Sequence, residues 1–266
     1  MSGCADVRCA VVGHVEWVEF ARVPRMPHAG EIVHADRVWA EPAGGGAVVA
    51  RQLALLAGRC EFFTALGSDD LGRESARRLA ELGLDVHVRW GGTTRRAWTH
   101  VDAGGERTIT VLGDKLLPAG PLPLEGYDLV FFVAGEEGAL RSARAARFLA
   151  ATVRELATLR AAGVPLDLLV ASANDPGESY DGSLQAEHVA ITDGARGGSL
   201  DGSPYAATAA PVVVDTYGAG DSFAAALAFA LARGDAAADA VALAAHAGAA
   251  VIGGAGPYES QLALGA

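Results

Sequence analysis

The sequence predicts an α/β fold in which helices cover a mostly parallel sheet. Apolar segments rich in β-branched and aromatic residues alternate with helical segments along the 266 residues, as in chains that build parallel sheets. Glycines mark many of the boundaries between these segments. The segments 15–40 and 95–112 differ, because they are more polar and carry strand signals without intervening helices. We expect them to form a small antiparallel cover over the main sheet.

The elements follow from the pattern of apolar residues. Strands are predicted at 9–13, 61–66, 128–133, 148–153, 166–171, 188–192 and 212–214. Helices are predicted at 44–56, 70–82, 140–146, 154–162, 218–233 and 235–251. A hairpin is predicted at 95–112, around a turn at 102–105. No low-complexity linker divides the chain, so we expect one domain over residues 1–266.

The composition excludes several classes of protein. Hydrophobic residues make up 51% of the chain and charged residues 20%, which excludes intrinsic disorder. The net charge of −11 argues against a nucleic-acid partner, because phosphate contacts select basic surfaces. The one lysine, Lys115, lies outside any Gly-Lys-Ser/Thr triplet, so no P-loop is predicted. Cys4, Cys9 and Cys60 lack metal-binding spacing, and no apolar segment is long enough to span a membrane, so we expect a cytoplasmic protein.

The strongest chemical signal lies at 215–223, which reads Asp-Thr-Tyr-Gly-Ala-Gly-Asp-Ser-Phe. Glycines let successive N–H groups turn toward one point, and a helix dipole adds positive charge there. Gly218, Ala219 and Gly220 are therefore predicted to form an anion hole. Asp221 lies beside it, where a carboxylate is unfavourable unless it has a task such as accepting a proton from an attacking hydroxyl. The alternative is a tight turn in which Asp221 only caps the helix.

This segment resembles the C-terminal signature of the PfkB (ribokinase-like) family of carbohydrate kinases, Asp-Thr-x-Gly-Ala-Gly-Asp-x-Phe, and matches it without a gap. Other segments resemble family features in the same order along the chain: the glycine helix 44–58, the turn 67–72, the lid hairpin 102–108 and the nucleotide loop 192–197. The resemblance covers nearly the whole chain. It implies a ribokinase-like three-layer α/β sandwich with a mostly parallel central sheet and a small β lid.

The resemblance implies ATP as the phosphoryl donor and Asp221 as the general base. Thr192, Gly194 and Gly197 would border the nucleotide, with His246 near the adenine. A packed core histidine is the alternative interpretation of His246.

The resemblance also implies metal sites. Asp215 and the carbonyl of Tyr217 match positions that bind a monovalent cation such as K⁺ in some members; without that ion, Asp215 would buttress the turn. The family's Asn-x-x-Glu, which orders Mg²⁺ through water, is absent. Asp175 follows a suitable strand and is one candidate acid for Mg²⁺, and Glu155 is the other.

The substrate positions depart from the family pattern. Gly44 and Gly45 begin the glycine helix, as in the family. Val18 and Val49 stand where many members hold sugar hydroxyls with an aspartate and an asparagine. Glu16 and Glu19 are nearby polar substitutes, although either could be an ordinary exposed strand residue. Because valine makes no hydrogen bond, we expect ribose and simple hexoses to be poor substrates.

The resulting hypothesis is ATP-dependent phosphorylation of a hydroxyl on a small sugar-like molecule. The alternatives are a nucleoside or vitamin-alcohol kinase on the same fold, or a catalytically weak ligand-binding relative. A dinucleotide-binding oxidoreductase is disfavoured because the glycine motif places Phe223 where its fingerprint needs Gly or Ala. Trp17, Trp39, Trp90 and Trp98 lie in or near the cover segments, where they would pack, line a pocket or form a dimer seam. We expect a homodimer through the lid, because the cover would otherwise leave open sheet edges.

Overall fold

A computed structural model describes residues 7–264. The strands in this part of the chain are β1 Cys9–Val12, β2 Glu16–Arg22, β3 Arg37–Ala43, β4 Cys60–Leu66, β5 Asp85–Trp90, β6 Arg96–Val101, β7 Arg107–Leu112, β8 Leu129–Phe132, β9 Phe148–Thr152, β10 Leu166–Ser172, β11 Ala186–Thr192, β12 Gly198–Leu200 and β13 Ser203–Tyr205. The α-helices are α1 Gly45–Ala57, α2 Asp70–Glu81, α3 Glu137–Ala143, α4 Leu156–Ala162, α5 Ala219–Arg233 and α6 Ala237–Val251. Short 3₁₀ helices occupy Val153–Glu155, Pro176–Glu178 and Gly194–Arg196.

The main sheet contains nine strands in the order β13-β12-β11-β10-β9-β8-β1-β4-β5. All pairs from β11 to β5 are parallel. The edge strands β12 and β13 are antiparallel. The carboxyl ends of the central strands therefore meet at one edge of the sheet.

Alternation along β1 separates the interior into two cores. Cys9 and Val11 pack in a cluster with residues of α1, α2, α5 and α6. Ala10 and Val12 pack in a second cluster with residues of α3 and α4. Successive side chains of a strand point to opposite faces, so the sheet lies between two helical layers. The predicted three-layer α/β architecture is confirmed.

A second sheet contains four strands in the order β3-β2-β6-β7, and we call it the lid sheet. Its strands come from the two segments that the sequence set apart, although β3 extends beyond residue 40 to Ala43. The lid sheet is mixed rather than wholly antiparallel as predicted, because β2 and β6 pair in parallel. These strands come from segments far apart in the chain, so hairpin geometry does not set their direction.

The two faces of the lid sheet differ. The inner face rests on the body of the protein: the Phe20 ring lies 5.2 Å from that of Tyr217, and Arg22 donates a hydrogen bond to the Val214 carbonyl (3.1 Å). The outer face leaves Val38 and Trp98 exposed by 71% and 47%. The prediction that the tryptophans serve in hydrophobic packing is therefore wrong for Trp98. It is also wrong for Trp90, whose surface is 48% exposed.

The predicted strand at 212–214 is wrong. These residues lie in an extended loop in which Val212 and Val213 are exposed. Val214 donates its N–H to the Ile252 carbonyl (2.8 Å) instead of joining a ladder. Strands β12 and β13 lie along the edge next to β11. These two strands and β5 were not predicted. The helix predicted at 140–146 lies earlier, at Glu137–Ala143.

The terminal residues 1–6 and 265–266 lie outside the described part of the chain, and so does Cys4. Cys9 and Cys60 are free, buried thiols. They stand opposite each other in the register of the parallel strands β1 and β4. Burial raises the pKa of Cys9 to about 12, so its thiol is inert. Within residues 7–264, no helix combines the length and apolar character needed to cross a membrane.

Candidate active site

The candidate site lies at the carboxyl ends of the parallel strands, where open α/β sheets bind ligands. The start of α1 packs closely on the end of β1. A Cβ at Gly46 would lie 2.6 Å from the His14 carbonyl oxygen, so only glycine permits this contact. The same packing places Gly45 against α5, where a Cβ would lie 3.0 Å from Asp221 Oδ1. Residues distant in sequence are thereby brought to one place.

The turn before α5 is held by Asp215 and Tyr217. Asp215 is fully buried, and its carboxylate accepts hydrogen bonds from the N–H groups of Tyr217 (2.9 Å) and Gly256 (2.9 Å). The Tyr217 hydroxyl accepts a hydrogen bond from the Gly44 N–H (3.2 Å). Gly218 has φ 82°, a left-handed conformation that favours glycine. The two glycine turns predicted from the sequence are therefore joined through one tyrosine.

The residues of the predicted anion hole lie at the start of α5. Helix α5 begins at Ala219, and its first N–H groups have no partner one turn back in the helix. Gly220 is exposed, and a Cβ there would meet nothing within 4 Å. This space is open to a ligand. A negatively charged group placed there would meet both N–H donors and the positive end of the helix dipole.

Asp221 lies in the first turn of α5, next to Gly220, and is partly exposed. Burial by the surrounding protein raises its pKa to about 6, and the charge of Glu178 adds to the shift. The positive charges of Arg107 and Arg154 oppose it. Asp221 makes no ion pair within the described chain. A desolvated carboxylate with a raised pKa is suited to accept a proton near neutral pH.

The charge of Arg154 acts on Asp221, and the same side chain binds two acids that follow β10. Its guanidinium forms ion pairs with Asp175 and with Glu178 (2.9 Å). Burial favours the neutral acid of Asp175, but a hydrogen bond from the Gly177 N–H and the Arg154 charge outweigh it and lower its pKa. The other candidate magnesium acid, Glu155, is paired with Lys115 at 2.6 Å. Both acids therefore have cationic partners in this structure.

A second polar group surrounds the end of β1. Glu16 is buried and pairs with Arg95 at 3.0 Å, and the His14 ring lies 3.7 Å from its carboxylate. Burial raises the pKa of Glu16, against the charges of Arg95, Lys115 and Arg154. Burial and the same three cations lower the pKa of His14 to about 3, so the imidazole is neutral. Glu16 is thus the acid of β2 on the face toward the body.

The other predicted substrate residues lie elsewhere. Val18 and Val49 have no exposed surface and belong to different apolar clusters. Glu19 lies on the outer face of the lid sheet, where it pairs with Arg96. Because side chains alternate along a strand, the face that carries Glu16 cannot also carry Glu19. The structure thus separates two glutamates that the sequence left equivalent.

The predicted nucleotide residues follow β11, whose end lies beside that of β10. Thr192 donates its hydroxyl to the Ala171 carbonyl (3.2 Å). Gly194 and Gly197 have φ values of 55° and 95°, and a Cβ at Gly197 would lie 2.0 Å from the Tyr205 carbonyl oxygen. His246 is exposed, so its interpretation as a core histidine is wrong. It lies on α6 two residues before Gly248, which packs against Ala219.

Several polar residues of this region were not predicted. His14, Arg95, Arg107, Lys115 and Arg154 surround the site, but each lies in a loop or at an element end. Lys115 had a usable signal, because it is the one lysine of the chain and follows Gly-Asp in a polar turn. The arginines had no such signal, since the chain contains many others on its surface.

A carboxylate beside the N-terminus of a helix, on this α/β fold, is typical of kinases that transfer a phosphoryl group to an alcohol. The model of the pfkB family of carbohydrate kinases matches residues 7–130 and 136–263. The chain therefore belongs to the pfkB carbohydrate kinase family, as its resemblance implied. Among curated protein sequences, none matches this chain.

Solved structures resemble the whole molecule. A candidate ribokinase from Agrobacterium tumefaciens has a TM-score of 0.80 at 22% identity, over 97% of this chain and 95% of that chain. A Burkholderia thailandensis nucleoside kinase in complex with inosine has a TM-score of 0.76 at 19% identity, over 96% of this chain and 94% of that chain. Arabidopsis thaliana ribokinase complexed with ribose and ATP has a TM-score of 0.72 at 21% identity, over 96% of this chain and 95% of that chain. The ribokinase-like fold is confirmed.

The raised pKa of Asp221 predicts a pH-dependent stability. The native state holds this proton more tightly than the unfolded chain, so ionisation costs stability as pH rises from the ordinary value of 3.8 toward about 6. Asp221→Asn removes the charge and should stabilise the protein at about pH 7 by at most about 3 kcal/mol. The gain should disappear near pH 4, where Asp221 is neutral in the wild type. Denaturant unfolding at both pH values measures it.

The matched control is Asp36→Asn, because Asp36 is exposed. Its effect should be small and similar at both pH values. A stability change in Asp221→Asn that is the same near pH 4 and pH 7 would contradict the assignment of a desolvated, ionised carboxylate.

Proposed function

We propose that the protein phosphorylates a hydroxyl of a small sugar-like molecule with ATP. The observation that carries the proposal is the Asp221 carboxylate, which is desolvated and lies beside the first N–H groups of α5. Within residues 7–264 it forms no ion pair. A general base and an oxyanion-stabilising group are the two protein functions that phosphoryl transfer to an alcohol requires. An alcohol that enters between Asp221 and the lid sheet would meet both.

In this mechanism Asp221 accepts the proton of the substrate hydroxyl while the hydroxyl oxygen bonds to the terminal phosphorus of ATP. The bond from that phosphorus to the bridging oxygen breaks, and ADP leaves with the electron pair. The N–H groups at Gly218–Gly220 stabilise the charge on the transferring group. Asp221 then releases its proton to solvent. The lid sheet excludes water, which would otherwise compete as acceptor.

Two metals are implied by the family. Asp175 and Glu178 offer carboxylate oxygens, the ligands that Mg²⁺ prefers, and they already converge on one cation, Arg154. They would hold Mg²⁺ directly or through water, and the ion would neutralise phosphate charge. Each carboxylate oxygen of Asp215 already accepts one backbone hydrogen bond from the chain that surrounds the turn. We assign Asp215 to buttressing the turn, with no role for K⁺ in the proposed mechanism.

The substrate would be recognised by Glu16 rather than by either valine. Glu16 is the buried acid that faces the body, and Arg95 and His14 hold it in position. Its carboxylate would accept hydrogen bonds from substrate hydroxyls, while Gly44 and Gly45 leave room for close approach. Nucleosides are the second candidate class, because a nucleoside kinase with bound inosine shares the fold.

The first test concerns catalysis. Asp221→Asn should lower kcat by roughly 10²–10⁴-fold, because a general base is lost, and nucleotide binding should survive. Gly220→Val should also block transfer, because its side chain would enter the space predicted for phosphate. A Cβ there meets no protein atom within 4 Å, so this variant should fold. ADP release from a panel of sugars, polyols and nucleosides measures both variants. Near-normal kcat in Asp221→Asn would remove Asp221 from the mechanism.

The second test concerns the acceptor. On the best substrate of that panel, Glu16→Gln should raise KM by roughly tenfold or more, because a charge-assisted hydrogen bond is lost. Glu19→Gln, on the outer face of the lid sheet, is the matched control and should leave KM unchanged. Ribose should remain a poor substrate. Ribose phosphorylation with kcat/KM on the order of 10⁴ M⁻¹s⁻¹, or a KM effect in the control alone, would refute this assignment.

We also propose that two copies associate through the outer face of the lid sheet. This face contains a groove of about 570 Å³ lined by Trp17, Val38 and Trp98 among others. The edge strands β3 and β7 have no further partner within the described chain. A second copy would cover both the apolar surface and an open edge.

Trp98→Glu should therefore convert a dimer into a monomer, because it places a charge in the apolar seam. Trp90→Glu is the control, since Trp90 is equally exposed but lies on β5 of the main sheet. Light scattering at micromolar concentration measures the mass. A wild-type monomer would end this proposal.

A further inference from the structure

Three side chains of types that commonly bind metal ions lie together on one face of the main sheet. Glu61 belongs to β4, and Asp85 and His87 belong to the neighbouring edge strand β5. Glu61 and Asp85 stand opposite each other in the strand register, and His87 is two residues further along β5. Side chains two residues apart share a face of a strand, so all three point the same way. Their ligand atoms lie within 4.8 Å of one another.

This group of ligands is separate from the candidate active site. Asp85 is the first residue of β5 and Glu61 is the second of β4, so the group lies at the amino ends of these strands. The candidate active site lies at the carboxyl ends of the sheet. Within residues 7–264, no other set of three histidine, cysteine or carboxylate side chains comes as close together. The proposed kinase mechanism leaves these three residues without a role.

The His87 ring is held in position beside Glu61. It stacks on the Phe63 ring, with centroids 4.4 Å apart and an interplanar angle of 12°. Its Nε2 atom lies 3.0 Å from Glu61 Oε2. Zinc binds such atoms at about 2.0–2.2 Å, so two adjacent ligands of one ion are roughly 3.0–3.4 Å apart. The spacing of Glu61 and His87 therefore fits a shared ion without rearrangement.

Each of the two carboxylates keeps one oxygen for a ligand. Glu61 Oε1 accepts a hydrogen bond from Arg8 (3.1 Å), and Glu61 Oε2 faces His87. Asp85 Oδ2 accepts a hydrogen bond from Arg59 (2.7 Å), whereas Asp85 Oδ1 accepts none within the described chain. Asp85 is exposed, so a rotation of its side chain can bring this oxygen to the same ion. The arginines would stay on the other oxygens and orient both carboxylates.

We propose that Glu61, Asp85 and His87 bind a divalent transition-metal ion of the zinc class. One imidazole and two carboxylates suit Zn²⁺, whereas Mg²⁺ and Ca²⁺ prefer oxygen ligands alone. Three protein ligands leave the remaining positions of the ion to water, since Asp85 and His87 are exposed. This inference is independent of the proposed kinase function. The alternative is a network of ion pairs that has no affinity for a metal.

An ion bound here would tie the edge of the main sheet to its interior. Strand β5 pairs only with β4 within the described chain, and the ligands come from both strands. The ion would therefore add a link between these strands that the unfolded chain lacks. A metal that binds only the folded state raises the stability of that state as the metal concentration rises. The site thus predicts a zinc-dependent stability that does not involve the cleft.

The test titrates protein freed of metal with EDTA and dialysed, using Zn²⁺ in a calorimeter. His87→Gln removes the nitrogen ligand and should weaken zinc binding at this site by roughly tenfold or more, and Asp85→Asn should weaken it as well. His188→Gln is the matched control, because His188 also pairs with a carboxylate, Asp201 at 2.8 Å, but has no third ligand beside it. Denaturant unfolding should show a midpoint that rises with zinc in the wild type and the control, but not in His87→Gln. Mg²⁺ should not distinguish the variants.

Equal zinc affinity in the wild type and in His87→Gln would overturn the proposal, because the bound zinc would then lie elsewhere, for example in the cleft. A wild-type protein that binds no Zn²⁺ would overturn it as well. An equal loss in His188→Gln would also refute it, since surface histidines would then bind zinc without a built site. Asp85 and His87 are exposed, so their variants should fold, and unfolding in EDTA checks this. If His87→Gln is unstable in EDTA, Asp85→Asn decides by the same comparison.

Discussion

The structure depends on holding one carboxylate, that of Asp221, in a place where water solvates it poorly. Burial raises its pKa to about 6, which is a cost to the folded state that packing elsewhere must offset. A Cβ at Gly45 would lie 3.0 Å from Asp221 Oδ1, so a larger residue there would displace the carboxylate. A Cβ at Gly218 would lie 3.0 Å from Val48 Cγ1, so a larger residue there would disturb the turn that leads into α5. Arg107 and Arg154 reduce this cost, although neither forms an ion pair with Asp221 within residues 7–264. Under the proposed function, the carboxylate is therefore free to act as a base.

Tyr217 links the turn beside Asp221 to α1 and to the lid sheet. Its backbone N–H is held by Asp215, its hydroxyl holds Gly44 at the start of α1, and its ring supports Phe20 of the lid sheet. Phe20 in turn stacks on Trp39 with ring centroids 4.8 Å apart. One side chain therefore joins the anion hole, the glycine helix and the lid. Burial raises the pKa of its phenol, which keeps it neutral in this role.

The sequence predicted the elements whose signals are local. Helix α5 follows from its glycine turn and alanine-rich run, and Asp221 follows from its place beside that turn. The error at 212–214 has a physical cause: valine favours strands only where a neighbouring strand is available, and β12 and β13 occupy that edge. Glu16 and Glu19 could not be ranked from sequence, because a one-residue change of register exchanges the two faces of β2. The arginines of the site depend on tertiary contacts alone.

The acidic side chains of the candidate site differ in whether a cation pairs with them. Glu16, Asp175 and Glu178 bring negative charge into the cleft, and Arg95 and Arg154 balance it in place. Asp221 differs from these acids, because it forms no ion pair within residues 7–264. Burial therefore raises its pKa, whereas partner cations oppose burial at Glu16 and lower the pKa of Asp175. In the proposed mechanism, this difference allows Asp221 to accept the proton of a substrate hydroxyl near neutral pH.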